Sequence, residues 1–229
     1  MRVVLTNDDG IDAPGLAALE RAAAGLGATL VVVAPEECHS GCGHRVTTNR
    51  PIRVDDVGQG RFRVAGTPAD CVRIALARLV PDATLVISGI NAGGNLGADI
   101  HHSGTVAAAR EAALHGLPAL AASQYHRRGT TIDWDRSARW VAEVLEAVRG
   151  REVVRGEFWN VNLPDLPAAA PDPEVVDCAV DGSPFGLGFR LSDEGWAYES
   201  SYNVRPRLAG DDVDVCFGGR IAVSRVRAV

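Results

Sequence analysis

The chain has 229 residues, of which 46% are hydrophobic, so it can form one large domain or one domain with an appendage. It carries 29 acidic and 23 basic residues, a formal net charge of −6. An acidic protein is a poor partner for duplex nucleic acid, whose binding requires Lys and Arg to neutralise phosphates. A small phosphate ester can still be bound locally through a metal ion and backbone amides.

The sequence predicts neither a targeting segment nor a membrane partner. Met1 leads directly into a strand-length apolar run, and apolar stretches such as 28–35 are far shorter than a membrane span. The five cysteines are an odd number, and nothing marks the chain as secreted. We therefore expect reduced thiols and a cytoplasmic location.

Residues 1–163 alternate between strand and helix patterns, which is typical of βαβ units and an α/β core with a parallel sheet. The clearest helix start is at Thr67, which can cap the helix, with Pro68 in its first turn. The predicted strands are 2–6, 29–34, 84–87, 118–122 and 157–161, with short extended segments near 52–54 and 62–64. The predicted helices are 15–24 after Pro14, 67–79, 105–115 and 133–148.

The pattern changes from Pro164 onward, where Pro, Gly and Asp become frequent and apolar runs become short. Strand-like apolar runs occur at 175–176, 197–198, 213–215 and 221–223. Cys178 and Cys216, close to two of these runs, are also predicted to lie in strands. We expect 164–229 to form a β-rich appendage of hairpins beside the core of residues 1–163.

Two adjacent carboxylates, Asp8 and Asp9, follow the first predicted strand and precede Gly10. Ligand sites in open α/β sheets lie outside the carboxyl ends of the strands. Two neighbouring negative charges repel each other unless a cation compensates them, and a hard divalent metal with oxygen ligands does so. The alternative is an ordinary turn, in which Asp and Gly are both common.

Two further loops follow predicted strands and should reach the same edge of the sheet. The loop 35–49 contains Ser40, and the glycine-rich loop 89–104 contains Asn91, Asn95, Asp99 and Ser103. Its end, Gly104-Thr105, opens a helix whose free amides and hydroxyl suit a phosphate, although this segment could also be only a helix cap. Carboxylate, hydroxyl and amide oxygens favour Mg²⁺ or Mn²⁺ over zinc.

A zinc site is the alternative suggested by Cys38, His39, Cys42 and His44, which lie within seven residues. Four ligands from one short loop, with no second ligand pair elsewhere, give poor tetrahedral geometry. The P-loop, dinucleotide-binding and nucleophile-elbow signatures are all missing.

These blocks together resemble the survival protein SurE family of metal-dependent phosphatases and nucleotidases. The resemblance rests on several ordered segments, namely 6–10 with 13–15, 33–35 with Ser40-Gly41, 66–72, 88–97, 103–109 and 158–164. It implies a Rossmann-like three-layer core with a mostly parallel sheet, and a β-rich C-terminal part that exchanges elements between subunits. A homodimer or homotetramer is therefore expected.

The resemblance also implies the reaction, which is hydrolysis of nucleoside 5′- and 3′-monophosphates with one divalent metal ion, Mg²⁺ or Mn²⁺. The implied metal ligands are Asp8, Asp9, Ser40 and Asn91. The implied catalytic residues are Asp8, Asp9, Asn95, Ser103 and Thr105, and the implied substrate and phosphate contacts are Asn91, Asn95, Ser103, Gly104 and Thr105. The loop around Ser40 departs from the family pattern, which is usually rich in Arg or Asn.

The residues leave the nucleophile open between water and Asp8 itself. They also leave two other functions open. A non-catalytic nucleotide-binding regulatory module would use the glycine-rich loop but would gain little from two adjacent carboxylates. A metal-dependent hydrolase of another ester class, such as a deacetylase, would have no use for a phosphate seat at Gly104-Thr105.

Overall fold

The computed structural model describes residues 1–151, 154–184, 188–199 and 205–229. Its strands are β1 (Arg2–Thr6), β2 (Thr29–Pro35), β3 (Val54–Gly58), β4 (Arg61–Val64), β5 (Leu85–Ala92), β6 (Ala119–Gln124), β7 (Glu157–Leu163), β8 (Val175–Asp177), β9 (Phe189–Ser192), β10 (Gly195–Tyr198) and β11 (Ile221–Arg227). Its α-helices are α1 (Pro14–Ala23), α2 (Pro68–Ile74), α3 (Gly104–Leu114), α4 (Trp134–Val148) and α5 (Asp212–Phe217).

The described strands form a nine-stranded sheet in the order β3-β4-β2-β1-β5-β6-β7-β11-β8, and a separate pair, β9 and β10. The six central strands from β4 to β7 run parallel. The edge strand β3 is antiparallel to β4, and β11 is antiparallel to β7. The predicted α/β fold with a mostly parallel sheet is therefore confirmed.

Helices cover both faces of the sheet because the buried strands alternate apolar side chains between the two faces. In β1, Val3 and Leu5 join the core beneath α1 and α4, whereas Val4 joins the core beneath α2 and α3. All three side chains are fully buried. Each face therefore has its own hydrophobic layer, which gives the three-layer arrangement.

Most predicted elements of residues 1–163 agree with the structure, and Thr67 with Asp70 forms a capping box at the start of α2. One prediction in this part is wrong. The sequence places 89–92 in the glycine-rich loop, but β5 continues to Ala92 and pairs with β6 after a register shift. Pairing with β6 thus extends a strand that the local composition alone would end.

The prediction of a strand at 213–215 is also wrong, since these residues lie in the helix α5, as does Cys216. The carboxylate of Asp212 accepts hydrogen bonds from the amides of Gly97 and Asp181, at 2.9 and 2.8 Å. These tertiary contacts, together with burial of the apolar side of α5 against Leu96, override the alternating pattern.

The segment after residue 163 contributes to the main sheet as well as to a separate hairpin. The strands β8 and β11 extend the sheet beyond β7, and β9 pairs with β10. None of the described helices has the length and apolar character that a membrane crossing requires.

Candidate active site

The three loops singled out in the sequence leave the same edge of the sheet. The strand β1 pairs in parallel with both β2 and β5, with Thr6 opposite Ser88. The carboxyl ends of these strands are therefore neighbours, and the chain continues from them into Asp8 and Asp9, into the Ser40 loop, and into the Asn91 loop.

Asp8 is a buried acidic residue at this edge, with 3% of the residue exposed. Its Oδ1 accepts a hydrogen bond from the hydroxyl of Thr105, which lies in the first turn of α3. Gly104 packs directly over the carboxylate, because a Cβ atom built on Gly104 would lie 2.8 Å from Cβ of Asp8. The closeness of α3 to Asp8 therefore depends on a residue without a side chain.

The pKa values of both carboxyls lie above their ordinary range. For Asp8, burial raises the pKa most, the negative charge of Asp9 raises it further, and the hydroxyl and amide of Thr105 only partly oppose them. For Asp9, burial raises the pKa and the Ala92 amide opposes it. Neither carboxyl forms an ion pair within the described residues. The site therefore holds negative charge that a cation would stabilise.

Asp9 and Asn91 are brought together through the end of β5. The amide of Ala92 donates to Oδ2 of Asp9 at 3.2 Å. Asn91 precedes Ala92, and its side-chain nitrogen donates to the carbonyl of Gly93 at 2.8 Å. Because that nitrogen faces the protein's own backbone, the side-chain oxygen of Asn91 is the atom that can serve as a ligand.

The Ser40 loop is fixed to Asp8 through the main chain. The amide of His39 donates to the carbonyl of Asp8 at 2.7 Å, and Ser40 follows as the next residue. The Ser40 hydroxyl is exposed and lies 3.1 Å from the Cys38 thiol. Cys42 lies on the other side of the loop, and its sulfur would be 3.0 Å from a Cβ on Gly104. Sequence reasoning missed these two thiol contacts.

The two hydroxyl groups at the start of α3 already form hydrogen bonds within the protein, which the sequence did not indicate. The Ser103 hydroxyl caps the helix by accepting a hydrogen bond from the Val106 amide at 3.0 Å. The Thr105 hydroxyl is bonded to Asp8, and its amide lowers the pKa of the same carboxyl. The positive end of the helix therefore stabilises the ionised form of Asp8.

Asn95 lies in the interior, where it is 7% exposed. Its side-chain nitrogen donates to the hydroxyl of Ser123 at 2.7 Å, and its amide donates to Oδ1 of Asn162 at 2.8 Å. Its carbonyl accepts from the side chains of Asn160 and Asn162 at 2.9 and 3.0 Å. These buried amides of β7 hold the loop, and two asparagines at period-two spacing in an apolar strand were the signal for them.

The zinc alternative finds no support in the described part of the chain, where no group of three or more His, Cys, Asp or Glu side chains could hold a metal. His44 pairs with Glu111 at 2.6 Å. Glu111 also contacts His115 at 3.0 Å. This pairing anchors the Ser40 loop to α3.

A doubly wound α/β sheet with paired acidic groups at its carboxyl edge defines the class of Rossmann-like proteins that bind their ligand at that edge. The particular family follows from comparison with known proteins. A family model described as "Survival protein SurE" matches residues 3–180. The chain belongs to the SurE family.

Individual relatives agree with this assignment. A candidate 5′-nucleotidase of Nostoc sp. is 48% identical over 227 residues, covering 99% of this chain and all of that protein. The 5′-nucleotidase SurE of Rhizorhabdus wittichii is 45% identical over 200 residues, covering 85% of this chain and 73% of that protein. The crystal structure of the SurE protein from Aquifex aeolicus has a TM-score of 0.86 and 28% identity, covering 100% of this chain and 94% of that one.

Proposed function

We propose that this protein is a metal-dependent phosphatase that hydrolyses nucleoside 5′- and 3′-monophosphates to nucleoside and phosphate. Membership of the SurE family and the 5′-nucleotidase names of its relatives support this activity. The observation that carries the proposal is the Asp8 carboxyl, which is buried beside Asp9 and under the start of α3 without a compensating cation among the described residues.

Asp8, Asp9, Ser40 and Asn91 would hold one divalent metal ion. They offer two carboxylates, a hydroxyl and an amide oxygen, the donor set preferred by Mg²⁺ and Mn²⁺. The fit is supported by the raised pKa of both carboxyls, since a bound dication would offset their mutual repulsion. The side-chain nitrogen of Asn91 already donates to Gly93, which leaves its oxygen for the metal.

When bound, the metal would polarise a phosphoryl oxygen and acidify a water molecule. Thr105 fixes the orientation of the Asp8 carboxylate through its hydroxyl. One carboxylate oxygen of Asp9 accepts a hydrogen bond from the Ala92 amide. Its other oxygen is therefore the one that can accept the proton of an attacking water. Ser103 and Gly104 would place the α3 terminus near the substrate phosphate, where positioning and electrostatics supply the rate.

Asn95 would act on the substrate phosphate from within the buried amide network. Its peptide group is held on both sides by Asn162, and its side-chain nitrogen is held by Ser123. This leaves little freedom for the Asn95 side chain, which is the preorganisation that charge stabilisation requires. We assign it a role in catalysis on this basis.

The test is replacement of Asp8 by Asn, with phosphate release measured from adenosine 5′-monophosphate in Mg²⁺, Mn²⁺ and chelator. We expect the rate to fall by about 10²-fold or more, since the metal ion that would stabilise the developing negative charge loses an anionic ligand. Mn²⁺ binding, followed by electron paramagnetic resonance, should weaken in parallel. The matched control is Asp12→Asn, because Asp12 is nearby but its side chain is 84% exposed. Near-normal turnover by the Asp8 variant would refute the proposal.

We also propose that the protein forms a homodimer or homotetramer in the cytoplasm, with residues 164–229 as the oligomerisation region. The β9–β10 hairpin exposes Phe189, Leu191 and Trp196 by 57, 63 and 69%. Exposed apolar side chains clustered on one hairpin favour burial against another copy of the chain. All five cysteines are free thiols, which agrees with a reducing compartment.

A further inference from the structure

A groove of about 460 Å³ adjoins the candidate active site at the carboxyl edge of the sheet. It lies beyond the ends of β2 and β4, which pair in parallel with Pro35 opposite Val64. His39 lines the groove, and its main-chain amide donates a hydrogen bond to the carbonyl of Asp8 at 2.7 Å. Since β1, β2 and β4 are neighbours, a ligand anchored near Asp8 would extend into this groove over about 5–10 Å.

The walls of the groove are fixed before any ligand binds. The Thr67 hydroxyl donates to the carbonyl of Arg45 at 2.6 Å. The amide of Thr47 donates to Oδ1 of Asp70 at 2.8 Å, and its hydroxyl donates to Oδ2 at 2.7 Å. At the base, the Glu36 amide donates to the carbonyl of Val64 at 2.8 Å. The loop that carries the lining side chains is therefore held in place, which lowers the entropy cost of binding.

The side chains that line the groove include more unpaired cationic groups than unpaired anionic groups. Arg45 and Arg50 line it, and within the described residues neither forms an ion pair. Of the two acidic lining residues, Glu36 pairs with Arg53 at 2.7 Å, an arginine that also pairs with Asp55, and Glu37 forms no ion pair within the described residues. Among the lining side chains, two guanidinium groups without ion pairs therefore lie beside one such carboxylate, in a protein whose net charge is −6. The Asp70 carboxylate lies behind this lining, where Thr47 and Thr67 donate hydrogen bonds to it.

We propose that this groove binds a second anionic group of the substrate, so that the enzyme prefers nucleoside 3′,5′-bisphosphates over nucleoside monophosphates. This inference rests on the proposed phosphatase function, with one phosphate at the Asp8 site and the other between Arg45 and Arg50. A guanidinium binds phosphate through two parallel hydrogen bonds, whereas an uncharged nucleobase gains less from two cations.

The reaction itself is unchanged. Water adds to the phosphorus at the Asp8 site, the ester P–O bond breaks, and its electron pair leaves with the sugar oxygen, which takes up a proton. The products are inorganic phosphate and a nucleoside monophosphate that keeps its second phosphate in the groove.

The experiment compares kcat/KM for adenosine 3′,5′-bisphosphate and adenosine 5′-monophosphate in Mn²⁺. For the wild type, we expect kcat/KM to be about tenfold higher for the bisphosphate, which is the gain that charge-assisted hydrogen bonds give at a partly exposed site. The double variant Arg45→Ala/Arg50→Ala should abolish the preference, and Glu37→Gln should increase it. The control Arg139→Ala removes an exposed arginine from α4 and should leave the preference as in wild type. Added salt should reduce the preference.

Two kinds of failure are distinguishable. If wild type releases phosphate from both substrates without preference, or if the double variant keeps the preference, the groove assignment is overturned and the phosphatase function stands. If neither substrate is cleaved, the phosphatase function fails. Calorimetric titration with adenosine 3′,5′-bisphosphate then tests the groove alone, and equal affinity of wild type and the double variant would overturn it.

Discussion

Replacing Gly104 by Ala tests whether catalysis depends on the close approach of α3 to Asp8. The new Cβ would lie 2.8 Å from Cβ of Asp8, 2.9 Å from its Oδ2 and 3.0 Å from the sulfur of Cys42. Carbon atoms pack at about 3.5–4.0 Å, so the two segments must separate by about 0.7 Å or more. Cβ of Asp8 is one bond from the main chain, so a rotation of the side chain cannot relieve the contact.

We expect this separation to affect activity more than stability. A misplacement approaching 1 Å at reacting groups costs about 10²-fold in rate, so kcat/KM for adenosine 5′-monophosphate should fall by about that factor. Overpacking should lower the free energy of unfolding by about 1–3 kcal/mol, which chemical denaturation can measure. The folded variant should also bind Mn²⁺ more weakly, because the Thr105–Asp8 hydrogen bond would be strained.

The matched control is Gly25→Ala, since a Cβ on Gly25 would meet nothing within 4 Å. This variant should keep both wild-type activity and wild-type stability. Activity of the Gly104 variant within about threefold of wild type, in a folded protein, would refute the reasoning that the α3–Asp8 geometry controls the rate.

Two further predictions concern stability and assembly. Burial raises the pKa of Asp70, but hydrogen bonds from Thr47 and Thr67 outweigh burial and hold the pKa below its ordinary value. The ionised carboxyl therefore stabilises the fold fully above about pH 4, and this stabilisation is lost as the pH falls through the pKa of the folded state. Asp70→Asn should therefore lower the free energy of unfolding by about 2 kcal/mol at pH 7, with a gap that closes in acid; a gap independent of pH in denaturant titrations would contradict this. For assembly, Leu191→Ser/Trp196→Ser should reduce the mass measured by light scattering to that of a monomer, and a monomeric wild type would refute the proposed role of the hairpin.

Local sequence predicted most elements because their patterns are strong and short-ranged. The start of α2 illustrates this, since Thr67 forms the predicted cap with an amide only three residues away, that of Asp70. Prediction failed where distant residues decide the conformation. The end of β5 is extended by pairing with β6, and α5 is helical because Asp212 is held by amides over a hundred and about thirty residues away.

In the candidate site, too, the sequence predicts some features and only the tertiary structure shows the others. The sequence alone places Asp8, Asp9, Ser40 and the glycine-rich loop after successive strands, because a parallel sheet brings those strand ends to one edge. Only the tertiary structure shows that Thr105 engages Asp8, since the bond joins residues 97 positions apart.

The sequence by itself determined the α/β fold, the family and the edge of the sheet where the candidate site lies, since alternating apolar patterns and strand-end polar residues are local properties. The tertiary structure alone decided which polar groups are buried, which are already paired and which remain free. Burial and pairing depend on every element that packs around a group, and no local pattern contains that information. The groove beyond β2 and β4, with Arg45 and Arg50 left free of acidic partners in the described chain, is visible only at that level.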